Sequence, residues 1–322
     1  MRATRFLNLL SAALLLAACS TPTLDDPVAA PIRQAACKVD RVVDLPTRYV
    51  EGAILVPARI DGHPVQLQVD TGAMTSMLTP EAAFAMGLRD DPHRTTIIHG
   101  VGGTITTRNV LVHNFDVGGR VWQSESIVTG HIARKFRETP PVAGLLGVDR
   151  LGIFDIELDL PNHRLTLWEV SNCSGDFVPW RQPHDVVSLL NYGRRQMVTT
   201  VRFGETPVPA LIDWGARSSV MTVETASRLG VTPAQLAKDP VADSHGVDQT
   251  EIPVRIHEFS NVRIGAQVFP KARIQVGELK LTGAGMLLGI DYASVRHIWL
   301  SYNSQQMFVA RRPAPPTKPP GS

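Results

Sequence analysis

An ordered series of motifs occurs twice in this chain, and that repetition constrains the fold more than any single motif does. Asp70-Thr71-Gly72-Ala73 closes the alternating run 65–69, and 143 residues later Asp213-Trp214-Gly215-Ala216 closes Leu211-Ile212. Ser76, Thr79, Glu81 and Gly87 recur at the same offset as Ser219, Thr222, Glu224 and Gly230. His99-Gly100-Val101 returns as His245-Gly246-Val247, and Leu145-Leu146-Gly147-Val148-Asp149 as Leu287-Leu288-Gly289-Ile290-Asp291. Asp-Ser/Thr-Gly alone would arise by chance in roughly one chain of seven at this length; the ordered series would not. The chain therefore holds two copies of one unit, residues 46–170 and 196–310, joined by an irregular linker, 171–195, that carries Cys173.

The unit reads as β. Glycine (25) and proline (24) punctuate short apolar runs, and few stretches keep a helical period. Residues 54–60 and 64–69 alternate around Asp61-Gly62, a two-residue hairpin signal. Thr79-Pro80-Glu81 starts a short helix that Gly87 ends. Residues 95–107 are strand-like on both sides of His99-Gly100-Val101-Gly102-Gly103, a glycine-rich tip expected to be mobile and to act as a lid. It lacks dinucleotide-binding spacing. Further strands fall at 109–117 and 120–129, and 153–160 pairs with 164–168. A net charge of +2, without a basic run interleaved with aromatics, excludes a nucleic-acid partner.

The first 19 residues read as a targeting segment. Arg2 and Arg5 precede the apolar run 9–18, too short for a comfortable membrane span. Leu16-Ala17-Ala18-Cys19 resembles the lipobox of bacterial lipoproteins, which implies cleavage before Cys19, lipid attachment there, and an envelope location. Ser20 after the cysteine points to the outer membrane; an ordinary cleaved signal peptide is the alternative. Residues 20–45 read as a tether and 311–322 as a Pro-rich solvated tail. With Cys19 lipidated, Cys37 and Cys173 remain as an even pair in an oxidising compartment, expected as a disulfide; two independent buried thiols are the other reading.

Asp-Thr-Gly after an apolar strand, a glycine-rich hairpin, and then Leu145-Leu146-Gly147 resemble the unit of the retropepsin-like aspartic proteases. Two such units in one chain resemble the bilobal pepsin-like arrangement. The resemblance implies an all-β fold of two six-stranded barrel-like lobes, with Asp70 and Asp213 as a catalytic pair on loops 71–73 and 214–216. It also implies that the Leu-Leu-Gly segments pack beneath those loops and that residues 99–103 cover a bound peptide. Two carboxyls a few Å apart cannot both ionise easily, so one acts as base on a water while the other, protonated, polarises a carbonyl. This chemistry asks for no cofactor and no metal. The expected partners are a peptide or protein substrate and, through acylated Cys19, a lipid membrane. One chain supplies both halves, so a monomeric pseudo-dimer is expected, with pairing of lobes between chains as the alternative.

Trp214 departs from the pattern, which places a hydroxyl residue after each aspartate. Either its indole packs into a local pocket, or the loop is displaced and the protein is an impaired pseudoprotease that binds peptides or acts as a scaffold. Arg217, at the position of Met74, points toward the pair or into solvent. Asp149 and Asp291 are expected to brace turns. His99 and His245 are read as surface residues of the hairpins, and Asp155, Glu157 and Asp159 as a solvated acidic face, with a metal face as the alternative.

Overall fold

Asp61 and Gly62 close the first hairpin in the computed structural model, which describes residues 36–100, 103–132, 136–193, 195–245 and 251–311. Both take positive φ, 47° and 84°, which matches the twist of the flanking strands and which glycine adopts without steric cost. The turn joins Ala53–Ile60 to His63–Val69 with Ile60 opposite His63. Gln196–Phe203 and Thr206–Ile212 form the corresponding hairpin of the second copy.

Each copy builds an eight-stranded sheet with the same spatial order of strands. His63–Val69, which delivers Asp70, runs antiparallel to Ala53–Ile60 and parallel to Val142–Leu146. Thr206–Ile212 lies likewise between Gln196–Phe203 and Met286–Leu288. Interior strands are bonded on both edges, so both aspartates leave rigid supports. The sheets exceed the six strands implied because hairpins and edge strands extend them. Arg89–Gly100 with Gly103–Val117 forms a long ribbon, and Val241–His245 pairs with the start of Glu251–Ile264 over five residues; Arg48–Val50 and Leu190–Tyr192 add short edges. Thr79 caps the helix Pro80–Ala85 through the Ala82 N–H at 3.2 Å, and Thr222 caps Val223–Arg228 through the Thr225 N–H at 3.1 Å. The fold is all-β and bilobal, with five short α-helices among the described residues.

A third sheet joins the copies and corrects three expectations. Its six antiparallel strands lie in the order Lys38–Pro46, Arg164–Ser171, Asp155–Asp159, His297–Ser301, Gln306–Ala310, His184–Ser188. Residues 38–45 are thus strand rather than tether; a register shift between Arg41 and Val43 breaks the alternation that would have shown it, while Val43 and Leu45 are buried. The linker 171–195 is not wholly irregular, since it contains His184–Ser188 and Leu190–Tyr192. The acidic triplet is not solvated: Asp155, Glu157 and Asp159 are all buried. Asp155 accepts from Trp299 Nε1 (3.0 Å) and the Tyr302 N–H (2.9 Å). Glu157 accepts from Trp168 Nε1 (3.0 Å) and Trp180 Nε1 (2.9 Å) and lies 2.7 Å from His297 Nε2. Asp159 caps the turn Leu160–Asn162. Burial of these carboxylates is tolerable because donors surround them, and most of those donors are distant in sequence.

One continuous apolar core runs from the first lobe (Ile54, Phe115) through the shared sheet (Leu158, Ile298) into the second (Met221, Ile274). Cys37 and Cys173 form a disulfide with 4.5 Å between Cα atoms, tying the first strand of the shared sheet to the segment between the repeats. It spans 136 residues, for which chain entropy gives a stabilisation of about 3–5 kcal/mol. Replacing both cysteines by serine is expected to lower stability by that amount, read as a lower unfolding midpoint in denaturant titration.

Candidate active site

The two aspartate loops hold their carboxyls by the same pair of backbone bonds. Asp70 Oδ1 accepts the N–H groups of Gly72 (3.0 Å) and Ala73 (2.9 Å), while Asp213 Oδ1 accepts those of Gly215 and Ala216 (both 3.0 Å). Each aspartate donates its own N–H to the Leu-Leu-Gly segment of its lobe, Asp70 to the Leu146 carbonyl and Asp213 to that of Leu288, both at 3.0 Å. These short turns, seated on interior strands, fix one oxygen of each carboxyl.

The Leu-Leu-Gly segments hold the loops from behind. Asp149 Oδ1 accepts the Ser76 N–H (2.8 Å) and hydroxyl (2.7 Å), and Ser76 Oγ accepts the Gly147 N–H at 2.9 Å. Asp291, Ser219 and Gly289 repeat the pattern at 2.9, 2.8 and 3.1 Å. These aspartates therefore brace the loops. Gly147 and Gly289 allow the approach, because a Cβ on them would lie 2.7 and 2.5 Å from the backbone of Thr75 and Ser218. The halves differ one residue further on. Buried Arg150 pairs with Asp149 and lies over the Phe115 ring, 4.3 Å from its centroid, whereas Tyr292 occupies the equivalent position.

The carboxyls meet across the boundary between the lobes. A Cβ on Gly72 would stand 2.4 Å from Asp213 Cγ, and one on Gly215 would stand 2.3 Å from Asp70 Cγ. Each carboxyl thus rests on the glycine of the opposite loop, and only glycine leaves room there. Burial, followed by the charge of Asp70, pushes the Asp213 carboxyl up to about 8, against the lowering effect of the Ala216 and Gly215 N–H groups. The pair therefore retains one shared proton at neutral pH and titrates as a unit.

Trp214 does not displace its loop. The indole is 1% exposed and joins the main core, while Asp213 keeps every backbone bond that Asp70 makes. Thr71, also buried, supplies one half of a clasp: its Oγ1 accepts the Trp214 N–H and donates to the Ile212 carbonyl, both at 2.9 Å. Trp214 has no hydroxyl to return these bonds. Two carboxamides cross the boundary elsewhere. Gln68 Nε2 donates to the Gly215 carbonyl at 3.2 Å, and Gln196 Nε2 donates to that of Gly72. Neither is signalled by the repeat, since Leu211 and Ala53 stand at the matching positions of the other copy.

The remaining candidates fall around this centre. Arg217 is exposed, the second of its two readings, and its stem lies over the Gly52 turn of the first lobe, where a Cβ would be 2.5 Å from Arg217 Cγ. His99 is exposed near the end of its strand, with Nδ1 3.0 Å from Thr104 Oγ1 across the hairpin. Gly100 and Gly103 end and begin the two strands of that hairpin; Val101 and Gly102 lie outside the described residues, as do Cys19, Gly246 and Val247. Beside the Asp70 loop Met77, Val128 and Leu145 form an apolar cluster with Ala73 and Ile98 packed on it. Val220, Leu279 and Leu287, with Ala216, form another beside the Asp213 loop. Among the described residues no group of three or more His, Cys, Asp or Glu side chains is placed to hold a metal ion.

A family model described as aspartyl protease matches the chain twice, over residues 56–150 and 199–292. No curated protein matches it.

Proposed function

We propose that this chain, which belongs to the aspartyl protease family, is an endopeptidase in which Asp70 and Asp213 together activate a water. One observation carries the reading: two carboxyls, each held by the same pair of N–H groups, face each other across the lobe boundary on reciprocal glycines. One proton shared by the pair is the state the reaction needs. The ionised carboxyl takes a proton from a water poised between the two, and the protonated one donates to the substrate carbonyl oxygen. The resulting diol collapses as the nitrogen of the scissile bond is protonated, and the amine departs. An extended peptide fits beneath the hairpins, whose outer strands are sheet edges open to backbone pairing, with apolar clusters on both sides of the pair.

Export as a lipoprotein anchored through Cys19, in the outer membrane of a bacterial envelope, is part of the same proposal. The Cys37–Cys173 disulfide supports an oxidising location. Because one chain supplies both halves of the site, we propose a monomer.

Cleavage of a peptide library from acid to neutral pH tests the reading. Turnover is expected to fall as pH rises through about 8, where Asp213 loses the shared proton. A rate still rising above pH 9 would contradict this. Tight peptide binding with no cleavage at any pH would favour the peptide-binding module instead.

A further inference from the structure

We propose that Gln68 and Gln196 are positioning residues for the aspartate pair, replacing across the lobe boundary the hydroxyl that Trp214 does not supply. The inference rests on the peptidase reading above and concerns the geometry of the same site.

The separation of the two carboxyls depends on how closely each loop approaches the other, because each carboxyl sits on the opposing glycine. Thr71 contributes two bonds that hold the second loop to the first, and nothing equivalent comes back from residue 214. Both glutamine bonds end on those two glycines. Gln68, buried on the strand that delivers Asp70, donates to the carbonyl of Gly215, the residue on which the Asp70 carboxyl rests. Gln196 begins the strand Gln196–Phe203 of the second lobe and donates to the carbonyl of Gly72, on which the Asp213 carboxyl rests. Its neighbour Arg195 crosses the same boundary, donating from Nη1 to the Gly152 carbonyl at 2.9 Å, which anchors the segment that presents Gln196.

The choice of side chain has a physical reason. A carboxamide donates to a carbonyl without charge, so it steadies the loop and leaves the shared proton undisturbed; lysine or arginine at this distance would draw the pair toward full ionisation. Neither glutamine has a counterpart in the other copy, so the two are not residues of the repeat. They occur where the symmetry of the clasp is broken.

The test compares Gln68→Leu, Gln196→Leu and the double variant with Gln68→Glu and Gln196→Glu in the full chain. Leucine keeps most of the volume and removes the donor. Each leucine variant is expected to lose about tenfold in kcat and the double about a hundredfold, with KM within about twofold, since misplacement of reacting groups by an ångström costs on that order. Glutamate can donate to the carbonyl only when protonated, so the glutamate variants are expected to approach wild-type kcat near pH 4 and to fall to the leucine level near pH 7. Loss of packing alone would not produce that pH-dependent rescue. Should a leucine variant fail to fold, the glutamate variants carry the comparison. Should the wild type cleave no peptide, the peptidase reading fails separately, and carbon NMR titration of the aspartate carboxyls still decides this inference. The upper apparent pKa of the pair should drop by at least about one unit in the double leucine variant, because separated carboxyls hold a shared proton less tightly. Unchanged kcat, or an unchanged titration, overturns the proposal.

Discussion

Asp213→Asn is expected to abolish peptide cleavage and at the same time to make the protein more stable near neutral pH. The loss follows from the chemistry: an amide can neither share the proton nor exchange roles with Asp70, and general acid–base groups contribute on the order of 10²–10⁴-fold. Asp70→Asn should lose as much, and cleavage that survives both substitutions would exclude the paired-carboxyl mechanism. The gain in stability follows from linkage. The Asp213 carboxyl titrates near 3.8 when unconstrained and is pushed up to about 8 in the fold, chiefly by burial and then by the charge of Asp70. A group raised on folding contributes stability that is fully present below its unfolded value and is lost as pH climbs through the folded one. Asparagine never ionises, so the advantage of the variant grows between about pH 4 and pH 8. Thermal melts should give a Tm gain of at least about 3 °C at pH 8 and almost none at pH 4. Equal gains at both values would show that Asp213 is not held protonated.

Gly215→Ala is expected to be nearly as damaging to turnover, with far less effect on the fold. The backbone at residue 215 does not need glycine for its own conformation, as its φ is not positive. What it lacks is space: the added Cβ would stand 2.3 Å from Asp70 Cγ and about as close to both carboxyl oxygens. Something must shift by more than half an ångström, and the carboxyl is the less constrained partner, held through Oδ1 by two N–H groups. We expect kcat to fall by on the order of a hundredfold. The reciprocal change, Gly72→Ala, presses on Asp213 in the same way and should match it. Retention of the wild-type melting profile alongside the lost activity would locate the defect at the pair. Wild-type turnover in both variants would mean that the carboxyls do not rest on these glycines.

Local signals made much of the architecture readable. Asp61-Gly62, Thr79 and Gly87 act through bonds or dihedral angles within a few residues, and the turn, the helix cap and the helix end stand where those residues place them. The shared sheet was less legible. Its first strand is hidden by a register shift, and His184–Ser188 is a short run whose partner, Gln306–Ala310, lies more than a hundred residues away. Asp155, Glu157 and Asp159 are hard to read for a related reason: alternating acidic residues on a strand look solvated, and Trp180, His297 and Trp299, which pair with Glu157 and Asp155, come from other segments.

The repeat itself determined the most. Two ordered copies of one β unit, each ending an apolar strand in an aspartate with small residues after it, dictate two like lobes with one carboxyl apiece, because side-chain period and turn chemistry act over a few residues. Only the tertiary structure decided how the halves join. Burial of Trp214 without displacement of Asp213, the seat of each carboxyl on the other lobe's glycine, and the two glutamine bonds across the boundary all depend on distances between segments more than a hundred residues apart. No local pattern encodes such a distance; it is set when both sheets and the shared sheet beneath them pack together.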